Sequence, residues 1–143
     1  MATKSFSAEV DDWVKKVEGR LEAVFKRSTE ELFSIAQTTV YQGGHLPFKY
    51  GFLRNTFVSS LNGSLLIEGP EAYETTIAGF ELGDKIFGGW TRDYALRMEY
   101  GFVETDSLGR SYNQAGFGFM AKAVTQWQAI VTRYAIELRS LST

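Results

Sequence analysis

The apolar spacing at the start of the chain limits its fold more than any other feature. Val10, Trp13, Val14, Val17, Leu21, Val24, Phe25, Leu32, Phe33, Ile35, Ala36 and Val40 recur mostly three and four residues apart, as one face of an α-helix requires. The spacing predicts one helix over residues 7–41. Ser7 is the expected N-cap, and Glu9, Asp11 and Asp12 fall in the first turns, where the helix dipole favours acids. Gly43-Gly44 supplies a stop and Pro47 prevents resumption. Such a helix would be about 50 Å long, whereas a domain of this size is only about 30 Å across. It must therefore break, near Gly19 or Ser28-Thr29, or lay part of its stripe on another subunit. Its polar face mixes Lys15, Lys16, Arg20, Lys26 and Arg27 with Glu18, Glu22, Glu30 and Glu31, a solvated face with local ion pairs.

Past residue 52 the texture turns β-like. Phe57, Val58 and Leu61 lead into Asn62-Gly63, a strong hairpin-turn pair, and Leu65 to Ile67 read as the returning strand. Gly69-Pro70 breaks it. Residues 75–79 and 85–87 read as further short strands, the second ended by Gly88-Gly89. Residues 91–100 suit a short helix. Residues 103–116, polar and glycine-punctuated, read as a long exposed loop, expected to be mobile in the free subunit and to order on docking. Residues 119–140 return to helical spacing through Phe119, Met120, Ala123, Val124, Trp127, Val131, Tyr134 and Leu138. The fold class is α+β: a long N-terminal helix, a small antiparallel sheet and a C-terminal helix packed on it, within a single domain over 1–143.

Composition excludes more chemistry than it suggests. The 143 residues contain no cysteine and one histidine, His45. A disulfide framework, a thiolate metal site and a catalytic triad within one subunit are thus not expected; His45 reads as a loop residue with a hydrogen-bonding role. The formal charge of −2 disfavours a general nucleic-acid binder or attraction to anionic lipid. No apolar run is long enough to span a bilayer, and the N-terminus lacks the apolar core of a secretory signal. Aromatics make up 15% of the chain. That surplus fits either a Phe-rich core or rings kept at the surface for subunit contacts.

Charge is uneven. Glu68, Glu71, Glu74, Glu81 and Asp84 occupy a stretch from Asn55 to Asp84 without Lys or Arg. Such a stretch serves solubility or guards strand edges; its sharper reading is a surface that must not adhere to DNA. Glu99 is the most interesting single acid, because it lies among Tyr94, Met98 and Tyr100. A carboxylate in apolar surroundings can act as a general acid, but one that pairs with an Arg, Arg54 first, or caps backbone amides is the commoner case. Gly43-Gly44 and Gly88-Gly89 precede no Lys-Ser/Thr, so neither is a phosphate loop. The segment Asp106-Ser107-Leu108-Gly109-Arg110 lacks the later ligands of a calcium loop.

The order of the pieces adds a resemblance. After the long helix comes Gly51-Phe52-Leu53-Arg54-Asn55-Thr56, a glycine-x-leucine-arginine-x-Ser/Thr element just after Tyr50. Next comes Tyr94-Ala95 leading to Glu99-Tyr100-Gly101, then a polar stretch, then Phe117-Gly118-Phe119-Met120-Ala121-Lys122-Ala123. Over roughly residues 7–140 this resembles the tail-completion or neck proteins of tailed double-stranded DNA phages and gene transfer agents, also called head–tail joining or minor tail morphogenesis proteins. The chain departs from that pattern at Ala115-Gly116, where the family usually carries a proline.

The resemblance implies a structural virion component without enzymatic activity or cofactor, assembled in the host cytoplasm. Its subunits would form a ring, commonly a hexamer, between a portal-side connector or head-closure protein and a tail terminator or tail tube. DNA would pass through without specific binding, and no membrane is involved. Gly51, Leu53, Arg54, Tyr94, Ala95, Glu99 and Gly101 would be structural or oligomer-contact positions. In this reading Gly51 and Gly101 permit sharp turns, Leu53, Tyr94 and Ala95 pack under the sheet, and Arg54 pairs with Glu99, within or between subunits, to fix register. Glu68, Glu71, Glu74, Glu81 and Asp84 would face the lumen. The competing readings are a tail terminator or minor tail protein, and a small-molecule-binding or hydrolytic domain using Glu99.

Overall fold

A computed structural model describes residues 5–48, 51–105 and 107–141 of the chain; Tyr50 and Asp106 therefore lie outside the described residues. The protein is α+β, with a long N-terminal helix, small antiparallel sheets and a helical C-terminal region.

Helix α1 runs unbroken over Phe6–Ala36, about 46 Å at 1.5 Å per residue. It begins slightly earlier than expected: Ser5, not Ser7, is the N-cap, its Oγ accepting from the Ala8 N–H at 3.3 Å. It also ends earlier, at Gln37, because Thr38 to Leu46 fold into a tight loop with a 3-10 turn at Val40–Gln42. Neither Gly19 nor Ser28-Thr29 breaks it. Ser28, Thr29, Phe33 and Ala36, in its second half, are buried.

A four-residue helix, α2 (Phe52–Asn55), leads into the central strand β1 (Phe57–Leu61), flanked antiparallel by β2 (Ile67–Glu68) and β3 (Ile86–Trp90). The Asn62-Gly63 turn forms with both residues left-handed, at φ 59° and 74°, and the Ser64 N–H donates to the Leu61 carbonyl at 3.1 Å. Pairing resumes only at Ile67, so the returning strand is shorter than its apolar run. The expected strand over 75–79 is instead helix α3, Ala72–Ala78. Ala72, Tyr73, Thr76 and Ile77 are buried, and that i, i+1, i+4, i+5 spacing belongs to a helix face. Gly88-Gly89 does not end β3 but lies inside it. A Cβ on Gly88 would stand 2.7 Å from the Phe33 ring and 2.9 Å from Phe57 Cζ, so the bare backbone there makes room for the core rings.

Helix α4 (Ala95–Tyr100) precedes a second, two-stranded sheet of β4 (Gly101–Thr105) and β5 (Ser111–Ala115). The expected loop over 103–116 is thus a hairpin, with Gly101 opposite Ala115 and Thr105 opposite Ser111. The final helix is two pieces, α5 (Phe119–Val124) and α6 (Trp127–Leu141). Between them the Thr125 hydroxyl donates to the Lys122 carbonyl at 2.6 Å and the Gln126 N–H to Ala123 at 3.0 Å, which tightens the turn. α6 runs antiparallel along α1, with Arg27 paired to Glu137 and Arg133 to Glu31.

Two apolar clusters meet at β3. Phe33, Phe57, Ala72, Tyr73 and Ile77 form one, and Leu46, Leu53 and Phe119 the other; Trp90 and Met120 pack against both. The link is a run of edge-to-face rings: Phe33–Phe57 and Phe57–Trp90 at 5.4 Å, Trp90–Phe119 at 4.8 Å. Each such pair adds about 0.5–1.5 kcal/mol beyond its area. Much of the aromatic surplus thus builds the core, while Phe6, Trp13, Tyr41 and Tyr100 remain largely exposed.

Candidate functional site

Glu99 sits in the last turn of α4 and uses both carboxylate oxygens on backbone. Oε1 accepts from the Met120 N–H at 3.1 Å and Oε2 from the Ala121 N–H at 2.9 Å. These are first-turn amides of α5, which a carboxylate both satisfies and stabilises through the helix dipole. The backbones cross beside it: Phe117 N–H donates to Met98 O at 2.8 Å and Gly118 N–H to Glu99 O at 3.1 Å. Gly101, at φ 83°, and Gly116 lie where the two segments cross; a Cβ on Gly101 would come 2.5 Å from the Gln114 carbonyl oxygen, and one on Gly116 2.5 Å from that of Glu99. Gly116 thus serves a close backbone approach. A hollow of about 250 Å³ opens beside Glu99, walled by Trp90, Leu96, Tyr100 and Phe119. Among the described residues Glu99 is the one acid lining it, and both its oxygens accept the capping bonds.

Within the subunit Arg54 does not pair with Glu99. Its Nε donates to the Gln37 carbonyl at 3.4 Å, and it shares a polar hollow with Glu71 and Tyr73. The element that fixes this region is Gln37, only 3% exposed. Its Nε2 donates to the carbonyls of Arg54 at 3.0 Å and Pro70 at 2.8 Å, and its Oε1 accepts from Trp90 Nε1 at 2.7 Å. One amide thereby joins the end of α1 to α2, the approach to α3 and the end of β3. No periodicity signals a lone glutamine of this kind, and sequence reasoning passes over it. Gly51 is left-handed at φ 79°, as its turn role requires. Leu53, Tyr94 and Ala95 belong to the cluster around Leu46 and Phe119, which meets the sheet at Trp90 of β3. So Gly51, Leu53 and Arg54 lie on or beside α2, and Tyr94, Ala95, Glu99 and Gly101 on or beside α4, without a direct bond between Arg54 and Glu99 in the subunit.

The five acids lie on β2, α3 and the following turn, not on one sheet. Glu68, Glu71, Glu74 and Glu81 are exposed. Glu71 and Glu74 stand at the start of α3, where the dipole favours them. Asp84 works locally, accepting from Asn62 Nδ2 and from the Glu81 N–H, both at 2.9 Å. The Asn62 bond first, then the Glu81 amide, holds its carboxyl below the ordinary value. His45 is exposed in the loop before α2. Among the described residues no group of His, Asp or Glu is set to hold a metal ion, and no helix is long and apolar enough to cross a membrane.

The first half of α1 leaves apolar side chains open to solvent. Phe6 is 81%, Trp13 65% and Leu21 57% exposed, with Val10 and Val14 also open to solvent. The stripe that marks this helix in the sequence is buried only toward its end. Comparison with protein-family models, with curated proteins and with solved structures gives no match for this chain.

Proposed function

We propose that this chain is a structural virion protein of a tailed phage or gene transfer agent. It would form a ring, a hexamer by resemblance, at the head–tail junction, between a portal-side connector and the tail terminator or tail tube. The observation that carries this reading is the solvent-exposed apolar stripe on the first half of α1. An isolated subunit gains nothing from holding Trp13 and Leu21 in water; burying such side chains between subunits is worth about 1.5–3 kcal/mol each. A large exposed apolar patch is the ordinary mark of an assembly surface.

Two further features support an assembling role over a hydrolytic one. Glu99 is engaged as a helix cap, and the positions of the phage-like elements hold backbone crossings and packing. The exposed acids Glu68, Glu71, Glu74 and Glu81 would give a channel wall the sign that repels DNA.

The test is to inactivate the gene in the phage or gene transfer agent that carries it. Filled heads and separate tails are the expected products. Joined, infectious particles without the protein would overturn the proposal, as would substrate turnover by the purified chain that is lost on Glu99→Gln.

A further inference from the structure

We infer that the first turns of α1 from one copy seat in the groove between α1 and α6 of a second copy, head to tail. The groove holds about 270 Å³ and has an apolar floor of Val17, Leu21, Val24 and Leu138, rimmed by Arg20 and Arg139. The two guanidinium groups of Arg20 and Arg139 give this rim a positive sign, which favours an acidic partner. The arm is the chemical complement. Phe6, Val10 and Trp13 share a face at helical spacing, and Glu9, Asp11 and Asp12 surround them with no base between Ser5 and Val14.

Lengths match as well. Phe6 to Trp13 and Val17 to Val24 are equal spans of helix, each about 10 Å. Arm and groove are parts of one continuous helix, so no chain can fill its own groove with its own arm. A surface and its complement at different places on one molecule make a head-to-tail contact, which propagates or closes on itself. The inference rests on the ring reading for that closure, and it names the partner of the exposed stripe as a second copy of this chain.

The chain has no cysteine, so disulfide trapping reads the contact directly. Val10→Cys and Leu138→Cys proteins are mixed in equal amounts under mild oxidation, with Ala135→Cys as the alternative groove position should Leu138→Cys fold poorly. Within one chain the pair cannot close. Leu138 follows Glu137, which pairs with Arg27 of α1, and Val10 lies about 25 Å along the helix from Arg27, far beyond the roughly 7 Å Cα limit for a disulfide. The mixed heterodimer is expected as the dominant product. A yield no greater than that of Ser107→Cys with Leu138→Cys would overturn the contact, as would Val10→Cys homodimers in excess, which would mean that arms pair with arms. The double variant in one chain separates the two claims. Trapped products of one terminal size support both. An open-ended ladder keeps the contact and removes the ring. A closed oligomer by native mass without trapping keeps the ring and removes the contact.

Discussion

Gln37 is the residue on which the most local structure depends. Its amide is buried and satisfies two carbonyls and an indole N–H at once. Gln37→Glu keeps the shape and can still accept from Trp90, but cannot donate to Arg54 and Pro70. Leaving buried carbonyls unpaired costs about 1–3 kcal/mol each, so a loss of at least about 2 kcal/mol in urea unfolding is expected; an unchanged midpoint would contradict the assignment. Arg54 and Glu99 make the opposite case. They bind separate backbone groups, so in a double-mutant cycle their Ala substitutions should add to within about 0.5 kcal/mol. A larger coupling would restore the ion pair that the sequence suggests. Asp84 sets an acid limit. Its carboxyl lies below the ordinary 3.8 in the folded state, so its contribution is present above that value and is lost as pH falls through the folded value. The melting-temperature gap between wild type and Asp84→Asn should therefore narrow below about pH 4; a constant gap would show that the bonds to Asn62 and Glu81 do not depend on its charge.

At the scale of elements, the two Gly residues inside β3 give a paired test. Gly88→Ala pushes a Cβ into the rings of Phe33 and Phe57, an overpacking that costs about 1–3 kcal/mol. Gly89→Ala meets nothing within 4 Å and should be neutral or stabilising by about 0.4–1 kcal/mol. Equal effects on thermal unfolding would contradict the packing. The neighbouring elements show what is legible in the chain and what is not. Long 3.6-residue periodicity marks α1 and the C-terminal helical region, and Asn62-Gly63 marks its turn, because those signals are local. Residues 75–79 mislead because Thr75, Thr76 and Ile77 favour strands by propensity, while the burial of Tyr73 and Ile77 with Phe57 in one cluster decides for a helix. The polar hairpin of β4 and β5 buries little, so it leaves no apolar alternation to find. At the site, Gly51 and Gly101 are legible as turns. Glu99 is legible as one of two choices, pair or cap, and only the backbone crossing at Gly101 and Gly116 selects the cap. Gln37 is not legible, because its partners lie 17, 33 and 53 residues away.

For the whole molecule, the sequence already contains the conflict that the structure displays. A helix about 46 Å long exceeds what this chain can cover, and it neither breaks nor bends its stripe inward. The cluster of Phe33 with Phe57, Tyr73 and Ile77 fixes its second half; the first half carries Phe6, Trp13 and Leu21 into solvent. On the proposed reading, that half is covered by neighbouring subunits around a DNA passage. The native mass of the full-length protein, followed against concentration beside Trp13→Glu, tests this most directly. The account expects a closed oligomer of one defined count for the wild type and a folded monomer for the variant. A wild-type chain that stays monomeric at every concentration, or a variant that assembles as well as the wild type, would contradict it.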